Sequence, residues 1–450
     1  MYLYLLRRSG FYIFSLLNET ARNRKFAMSK EMKNREIKAG FIGNVIEWYD
    51  FALYGYMAGI LATLFFPSED KLASLIAVYG VFAAGFFMRP LGAGFFGWLG
   101  DTIGRSKTML LSVTMMTLPT LLLGMLPTYD TAGIWAVVML VIIRLIQGLS
   151  VGGEFSSSVT YLVESAPDHR RGFFGSFANT GTIVGMLLGS GVAALATTIL
   201  SDAVIHDWGW RIPFLLGGVF GGIAIWMRRD LPESKHFKPK KKEHHGPSPL
   251  KLAFTSHPTR MIKAILFAAA YGIVFYLPLV YLPEWLHSQT GMPRHEALQI
   301  NTLSTALLLA LVPVTGIISD HYIRRSHFIA GAMVLMALVS FPAFDWLAND
   351  GLWGPVAIQF IFVILLAVPL GSAPAMFVEL FPSSHRLSAY SVAYNLGVGV
   401  IGGLTPMLAT WLIKVSGAPV APSFLLIVGA SVAFITILWI GDRSREKLID

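Results

Sequence analysis

Apolar runs long enough to cross a bilayer recur along this chain from Gly40 to Ile440, with only short polar breaks between them. A spanning helix needs about 20 such residues, each adding about 1.5 Å along the axis. Twelve runs meet that need, at 40–66, 73–99, 108–127, 133–164, 172–200, 210–227, 261–287, 297–318, 327–347, 354–380, 387–415 and 421–440. With 54% hydrophobic and only 14% charged residues, the 450-residue chain has too few charges to cover a soluble protein of this size. The expected fold is all-α, a polytopic membrane protein with twelve transmembrane helices.

The net charge of +9 follows from topology rather than from a nucleic-acid surface. Arg105 and Lys107, Arg170 and Arg171, the run from Arg228 to Lys263, Arg324 and Arg325, Arg386, and Arg443 to Lys447 all fall in alternate loops. The other loops offer little beyond Lys71, Arg294, Arg211 and Lys414. By the positive-inside rule both termini are cytoplasmic, in a plasma or bacterial inner membrane. Absence of cysteine excludes disulfides, thiolate metal sites and a cysteine nucleophile. Residues 1–39 read as a cytoplasmic, partly disordered lead-in, in which Met28 is an alternative start and "FYIFSLL" makes a poor signal peptide.

Two pairs of loops reveal a duplication. Gly97, Asp101 and Arg105 stand at four-residue steps, as do Gly316, Asp320 and Arg324, 219 residues later. "VESAPDHRR" at 163–171 is echoed by "VELFPSSHR" at 378–386, at an offset of 215. Two similar offsets indicate a repeated six-helix unit, giving pseudo-symmetric halves at 40–228 and 261–440. They are joined by a Lys-, Pro- and Ser-rich cytoplasmic linker at 229–260 and followed by a tail at 441–450. The adjacent His244 and His245 in that linker do not make a metal site, and no metal is expected.

These residues resemble the major facilitator superfamily, whose loop motif is matched by Gly97, Asp101, Gly104 and Arg105. Within it the chain is most similar to the metabolite:proton symporter family, through "GNVIEWYDF" at 43–51, "FFMRPLG" at 86–92, "QGLSVGGEF" at 147–155, "RRGFFGS" at 170–176, "DWGWRIPF" at 207–214 and "ELFP" at 379–382, with Tyr394 and Asn395. The resemblance implies proton-coupled symport by alternating access, with no cofactor beyond the proton gradient. "VYLPEWL" at 280–286 and the segment 395–412 look most like the proline/betaine branch. A zwitterionic osmolyte is therefore the first expectation, and a di- or tricarboxylate such as 2-oxoglutarate or citrate the alternative.

An ionisable group at mid-bilayer costs roughly 2.5–3.5 kcal/mol on insertion scales, so each one asks for a partner or a watery cavity. In the first helix Asn44, Glu47, Asp50 and Tyr54 share one third of the circumference at about 100° per residue. Asp50 lies about 15 Å from the cytoplasmic start, and Arg89 in the second helix lies about 16 Å from its own cytoplasmic end. Arg144, Gln147, Ser150, Glu154 and Ser158 line one face of the fourth helix. Asp50, Glu47 and Glu154 are thus candidates for the coupling proton. Arg89, Arg144, Tyr54, Gln147, Tyr394 and Asn395 are candidates for binding the solute, because a guanidinium fork suits a carboxylate. Packing is an equally good reading of Tyr394, Asn395 and Gln359, and structural pairing remains the plain alternative for the charges.

The superfamily resemblance also implies a cytoplasmic gate. Asp101 and Arg105, with their repeats Asp320 and Arg324, can pair with Glu164, Arg170, Arg171, Glu379 or Arg386. The second copy has Ile323 where the first has Gly104. Gly181, Gly185 and Gly189 mark a surface for close helix approach. Glu284 and Asp345, near outer helix ends, read as snorkelling residues. "GLSVG" at 148–152 and "GVGVIG" at 397–402 mimic a nucleophile elbow and a dinucleotide fingerprint, but both lie inside membrane spans. No catalytic set or signalling domain is visible, which argues against an enzyme or a receptor. The expected partners are a small solute, protons and the lipid bilayer, with neither nucleic acid nor an obligate protein partner.

Overall fold

The computed structural model describes residues 42–103, 105–152, 154–229, 254–255, 257–349, 353–383 and 385–449. The N-terminal lead-in, Gly104 and most of the linker, with His244 and His245, lie outside the described residues. Within them the chain is helical, without a strand. Twelve helices succeed one another: α1 at 42–65 with a one-residue break at Met57, α2 Lys71–Phe96, α3 Lys107–Leu123, α4 Ile134–Glu164, α5 Asp168–Ile199 and α6 Arg211–Arg228. Then come α7 Pro258–Thr290, α8 Arg294–His321, α9 Arg325–Ala348, α10 Gly354–Leu380, α11 Arg386–Ser416 and α12 Pro422–Ile440. Among the described residues nine of these are long and apolar enough to cross a membrane unbroken, and α6 makes ten when joined to the short helix Asp202–Gly209, inclined at 51° to it. The sequence pattern missed that short helix. Its Asp, His and Trp residues are polar or amphipathic, so no apolar run marks it.

Helix ends follow local chemistry. Asp70 caps α2, its Oδ1 accepting from the Ala73 amide at 3.0 Å. Gly291 and Gly417, both at positive φ, stop α7 and α11 where a side chain would be strained. Leu277–Tyr281 in α7 and Asn395–Gly402 in α11 widen into π-turns, and the second of these packs against the Pro258–Tyr276 stretch of α7. The glycine run of "GVGVIG" serves that contact, since a Cβ on Gly402 would stand 2.8 Å from the Gly272 Cα.

The packing has a two-fold logic. α2 lies against α11, and α5 lies against α8, so each contact is the image of the other under exchange of the six-helix units. α3, α6, α9 and α12 stand on the outside and expose Leu118, Trp226, Leu338 and Ile435. Such a belt suits hydrocarbon rather than water. α1, α7 and α10 are the most enclosed helices.

Candidate functional site

α1 distributes its polar arc among three neighbours. Asn44 turns to α5, donating to the Ala178 carbonyl at 2.9 Å and to Thr182 at 3.3 Å. The backbones approach closely there because a Cβ on Gly185 would meet the α1 backbone at Val45 and Tyr49. Glu47 faces α2 and pairs with Arg89 at 3.2 Å. Asp50 faces α4, where Arg144 Nη1 donates to Oδ2 at 3.0 Å. Its other oxygen accepts from Gln147 Nε2 at 2.9 Å and from Thr120 Oγ1 at 2.8 Å. Thr120, on α3, was not legible as a site residue.

All four charges are buried, with side chains no more than 3% exposed. Two positive and two negative groups cancel, which makes the set tolerable in a low-dielectric interior. Aromatic rings surround them. The Arg89 guanidinium lies 4.6 Å from the Phe51 ring centre and 4.4 Å from that of Phe86, and Arg144 lies 4.2 Å from Tyr54 and 4.9 Å from Phe51. Phe51 is thus held between two cations. Arg144 spends Nη1 on Asp50 and on Gln147 Oε1, at 3.0 and 2.9 Å, while its Nε and Nη2 make no hydrogen bond. Arg89 Nε likewise makes none. Each arginine therefore keeps a donor aimed into a buried, aromatic space.

The remaining candidates divide. Tyr54 keeps its ring against Arg144 and donates its hydroxyl to the Val78 carbonyl at 3.2 Å. Asn395 bridges the halves by donating to the Gly152 carbonyl at 3.1 Å. Tyr394 stacks on Phe155 with ring centres 4.7 Å apart. Gln359 joins a separate polar ladder, bonding the Pro278 carbonyl at 3.0 Å and Asn301 at 3.1 Å, and Asn301 reaches Ser190 of α5 at 3.1 Å. The side chains of Glu154, Asp101 and Arg105 lie outside those described.

Toward the face carrying the basic loops, a second network closes the molecule. Glu379 of α10 takes Arg171 of α5 at 3.0 Å and Arg325 of α9 at 2.5 Å. Arg325 also holds Asp320 at 2.9 Å, whose two oxygens accept from the Gly172 and Phe173 amides, each at 2.8 Å. Arg386 of α11 reaches Glu164 of α4 at 2.6 Å. Of the expected gate residues, Arg170 and Arg324 are exposed and stand outside this network. Arg325, one position on, occupies the place expected for Arg324. The twin arginine in "IRRS" was the signal, and helix phase decided between its members.

Residues 441–449 lie across this closure. The Glu446 carbonyl accepts from Arg171, and the Ile449 carbonyl accepts from Arg386 at 2.6 Å and from the Ser383 amide at 3.0 Å. Asp442 accepts from the Ser326 amide at 2.9 Å. Its burial opposes ionisation, but bonds from Ser444 and Ser326 outweigh that and hold its carboxyl below the usual range. Nearby, burial, then His257 and Arg260, push the His385 imidazole down.

The opposite face is tied as well. Lys414 of α11 pairs with Asp70 at 2.8 Å, and this ammonium, with the Ala73 amide, holds the Asp70 carboxyl low. Glu284 does not snorkel to the interface. It is buried and paired with Arg294, which neutralises it in place. The conformation is therefore occluded, with the charged centre shut from both faces.

This network offers a direct check. Glu379→Gln removes one anion shared by two buried arginines, and leaving a buried charge unpaired costs about 3–5 kcal/mol. Since the chain has no cysteine, S176C supplies a single reporter on buried α5. Its alkylation from the basic face should quicken about tenfold or more in the Glu379→Gln background. An unchanged rate would mean that these pairs do not hold the face shut.

Comparison with known proteins agrees with this architecture. A family model described as sugar (and other) transporter matches residues 38–248, and one described as major facilitator superfamily matches residues 279–449. The chain is 35% identical over 432 residues to the proline/betaine transporter of Escherichia coli strain K12, covering 92% of this chain and 84% of the relative. It is 33% identical over 404 residues to the alpha-ketoglutarate permease of the same strain, covering 90% and 92%. Among solved structures it resembles the partially occluded inward-open xylose transporter of E. coli, with a TM-score of 0.71, 17% identity and coverage of 92% and 98%. That last likeness concerns the fold.

Proposed function

The chain belongs to the major facilitator superfamily of membrane transporters, and from that premise we propose that it is a proton-coupled symporter of a zwitterionic osmolyte such as proline or glycine betaine. The observation that carries this reading is the buried Asp50–Arg144 pair, in which the arginine keeps Nε and Nη2 unbonded. A solute carboxylate docks side-on against that edge, as carboxylates do on guanidinium forks. It then competes with Asp50 for the arginine. Burial favours the protonated form of a carboxylate that loses its cation, so Asp50 takes a proton as the solute arrives. One proton per solute carboxylate keeps the Asp50–Arg144 locus neutral throughout. The solute's ammonium end needs no anion if it lies against an aromatic face.

Release follows from rocking of the two halves about the occluded centre. The basic face is cytoplasmic by the positive-inside rule, which puts both termini inside a bacterial inner membrane. There the Glu379 and Glu164 pairs part, the solute leaves, and Asp50 returns its proton to re-form the Arg144 bond. Glu47, on Arg89, is the second acceptor of a proton, and no cofactor or obligate protein partner enters the cycle.

A specific observation supports a second reading. Arg89 also has an unbonded donor, and two arginines side by side suit a di- or tricarboxylate, with Asp50 and Glu47 both protonated on loading. External pH separates the two. In a lightly buffered suspension of expressing cells, proline or glycine betaine should alkalinise the medium relative to a vector control, and 2-oxoglutarate and citrate should not. Alkalinisation by the carboxylates alone would replace the first reading with the second.

A further inference from the structure

Between the arginine centre and the basic-face gate, Phe155 of α4, Asn179 of α5, Tyr271 of α7, Phe377 of α10, and Tyr390 and Tyr394 of α11 converge on a cleft that is closed in this conformation, too narrow for a water molecule. Its walls come from both six-helix units, so rocking of the halves changes its width. The rings are not randomly packed. Phe155 and Tyr394 stack at 4.7 Å, Phe377 and Tyr390 stack at 5.1 Å, and Tyr394 stands edge-on to Phe377 at 6.2 Å and to Tyr390 at 5.7 Å. No charged side chain lines the cleft, and the buried Tyr390 hydroxyl makes no hydrogen bond. A Cβ on Gly399, five residues beyond Tyr394 along α11, would lie 3.6 Å from the Arg89 Cδ. On the other side, Phe377 is two residues from the gate anion Glu379.

Five rings and one amide drawn from both six-helix units thus meet, without a charge among them, where the arginine centre gives way to the basic-face network. We propose that this cleft is an aromatic cage, a second station on the transport path that takes the ammonium end of the zwitterion while its carboxylate faces Arg89. The inference rests on the osmolyte reading above. Ring faces attract a cation through their quadrupoles and need no anion, so the solute is held without a salt bridge that would have to break before release. The cage is contracted in the occluded state and widens as the halves part.

The test compares glycine betaine with 3,3-dimethylbutyrate, in which carbon replaces the quaternary nitrogen and the shape is kept while the cation is lost. Binding of both to the purified full-length protein is measured for wild type, Tyr394→Leu and Tyr394→Phe, with thermal unfolding to confirm that each folds. Wild type should prefer betaine, Tyr394→Phe should keep the preference, and Tyr394→Leu should reduce it by about tenfold. Phe155→Leu, from the other half, should act in the same direction and serves if Tyr394→Leu does not fold. A folded leucine variant that keeps the full preference would overturn the cage and leave the osmolyte reading standing. Wild type that does not bind betaine at all would overturn both.

Discussion

Asp50→Asn should bind solute more tightly and transport it far less. The asparagine keeps an oxygen for Thr120 and Gln147 but removes the anion that Arg144 holds at 3.0 Å in the fully buried pair. In the empty variant Arg144 becomes an uncompensated buried charge, at a cost of about 3–5 kcal/mol. A solute carboxylate relieves that cost on binding, and at about 1.4 kcal/mol per decade its release slows by roughly 100-fold or more. Proton-driven accumulation should fall by a similar factor, because residue 50 no longer carries a proton across. Equilibrium binding and initial uptake, measured on one preparation, check both halves of the expectation. Weaker binding, or uptake that stays uphill and protonophore-sensitive, would remove Asp50 from the coupling step.

The second large effect is expected at Gly148, part of a sequence that imitates a hydrolase elbow. α2 and α4 carry Arg89 and Arg144 and touch backbone to backbone. A Cβ on Gly148 would fall on the Gly85 carbonyl, one on Gly152 on the backbone at Gly92 and Ala93, and one on Gly92 on the Leu149 carbonyl. No flexible side chain is there to yield. Gly148→Ala must push the two helices apart, and overpacking of this kind costs about 3 kcal/mol or more. It also shifts Arg144, one helical turn away, from its place against Asp50. Gly222→Ala is the matched control, because nothing lies within 4 Å of a Cβ there. Thermal unfolding in detergent should show a marked loss for the first and almost none for the second. Equal stability would mean that α2 and α4 have room to part.

How far the sequence reached depended on the kind of signal. Twelve apolar runs and two displaced loop motifs are one-dimensional patterns, and they were sufficient for the all-α twelve-helix architecture. Charges in such runs were equally visible, because a residue like Asp50 or Arg144 has no ordinary reason to be there. Partnership was not visible. Helix phase placed Asn44, Glu47 and Asp50 on one arc of α1, yet they face α5, α2 and α4 respectively, and only the positions of the neighbours decide that. Thr120 escaped notice because threonine in an apolar helix usually bonds its own backbone. Its hydroxyl indeed lies 2.9 Å from the Met116 carbonyl as well as 2.8 Å from Asp50. Glu284 was read as a residue reaching for the interface because its cation, Arg294, lies beyond a helix end and is brought back only by the turn between α7 and α8. In the basic-face network, Asp320 caps the start of α5 from the other half of the molecule, a contact across 148 positions that no local pattern announces.

Proton coupling at the occluded, charge-balanced centre is the claim on which the rest depends. The most direct measurement is uptake of labelled glycine betaine or proline into proteoliposomes of the purified wild-type protein, with equal solute on both sides and an inward proton gradient imposed. Accumulation above equilibrium that collapses on adding a protonophore is the predicted result. Exchange of label that stops at equilibrium and ignores the gradient would contradict it.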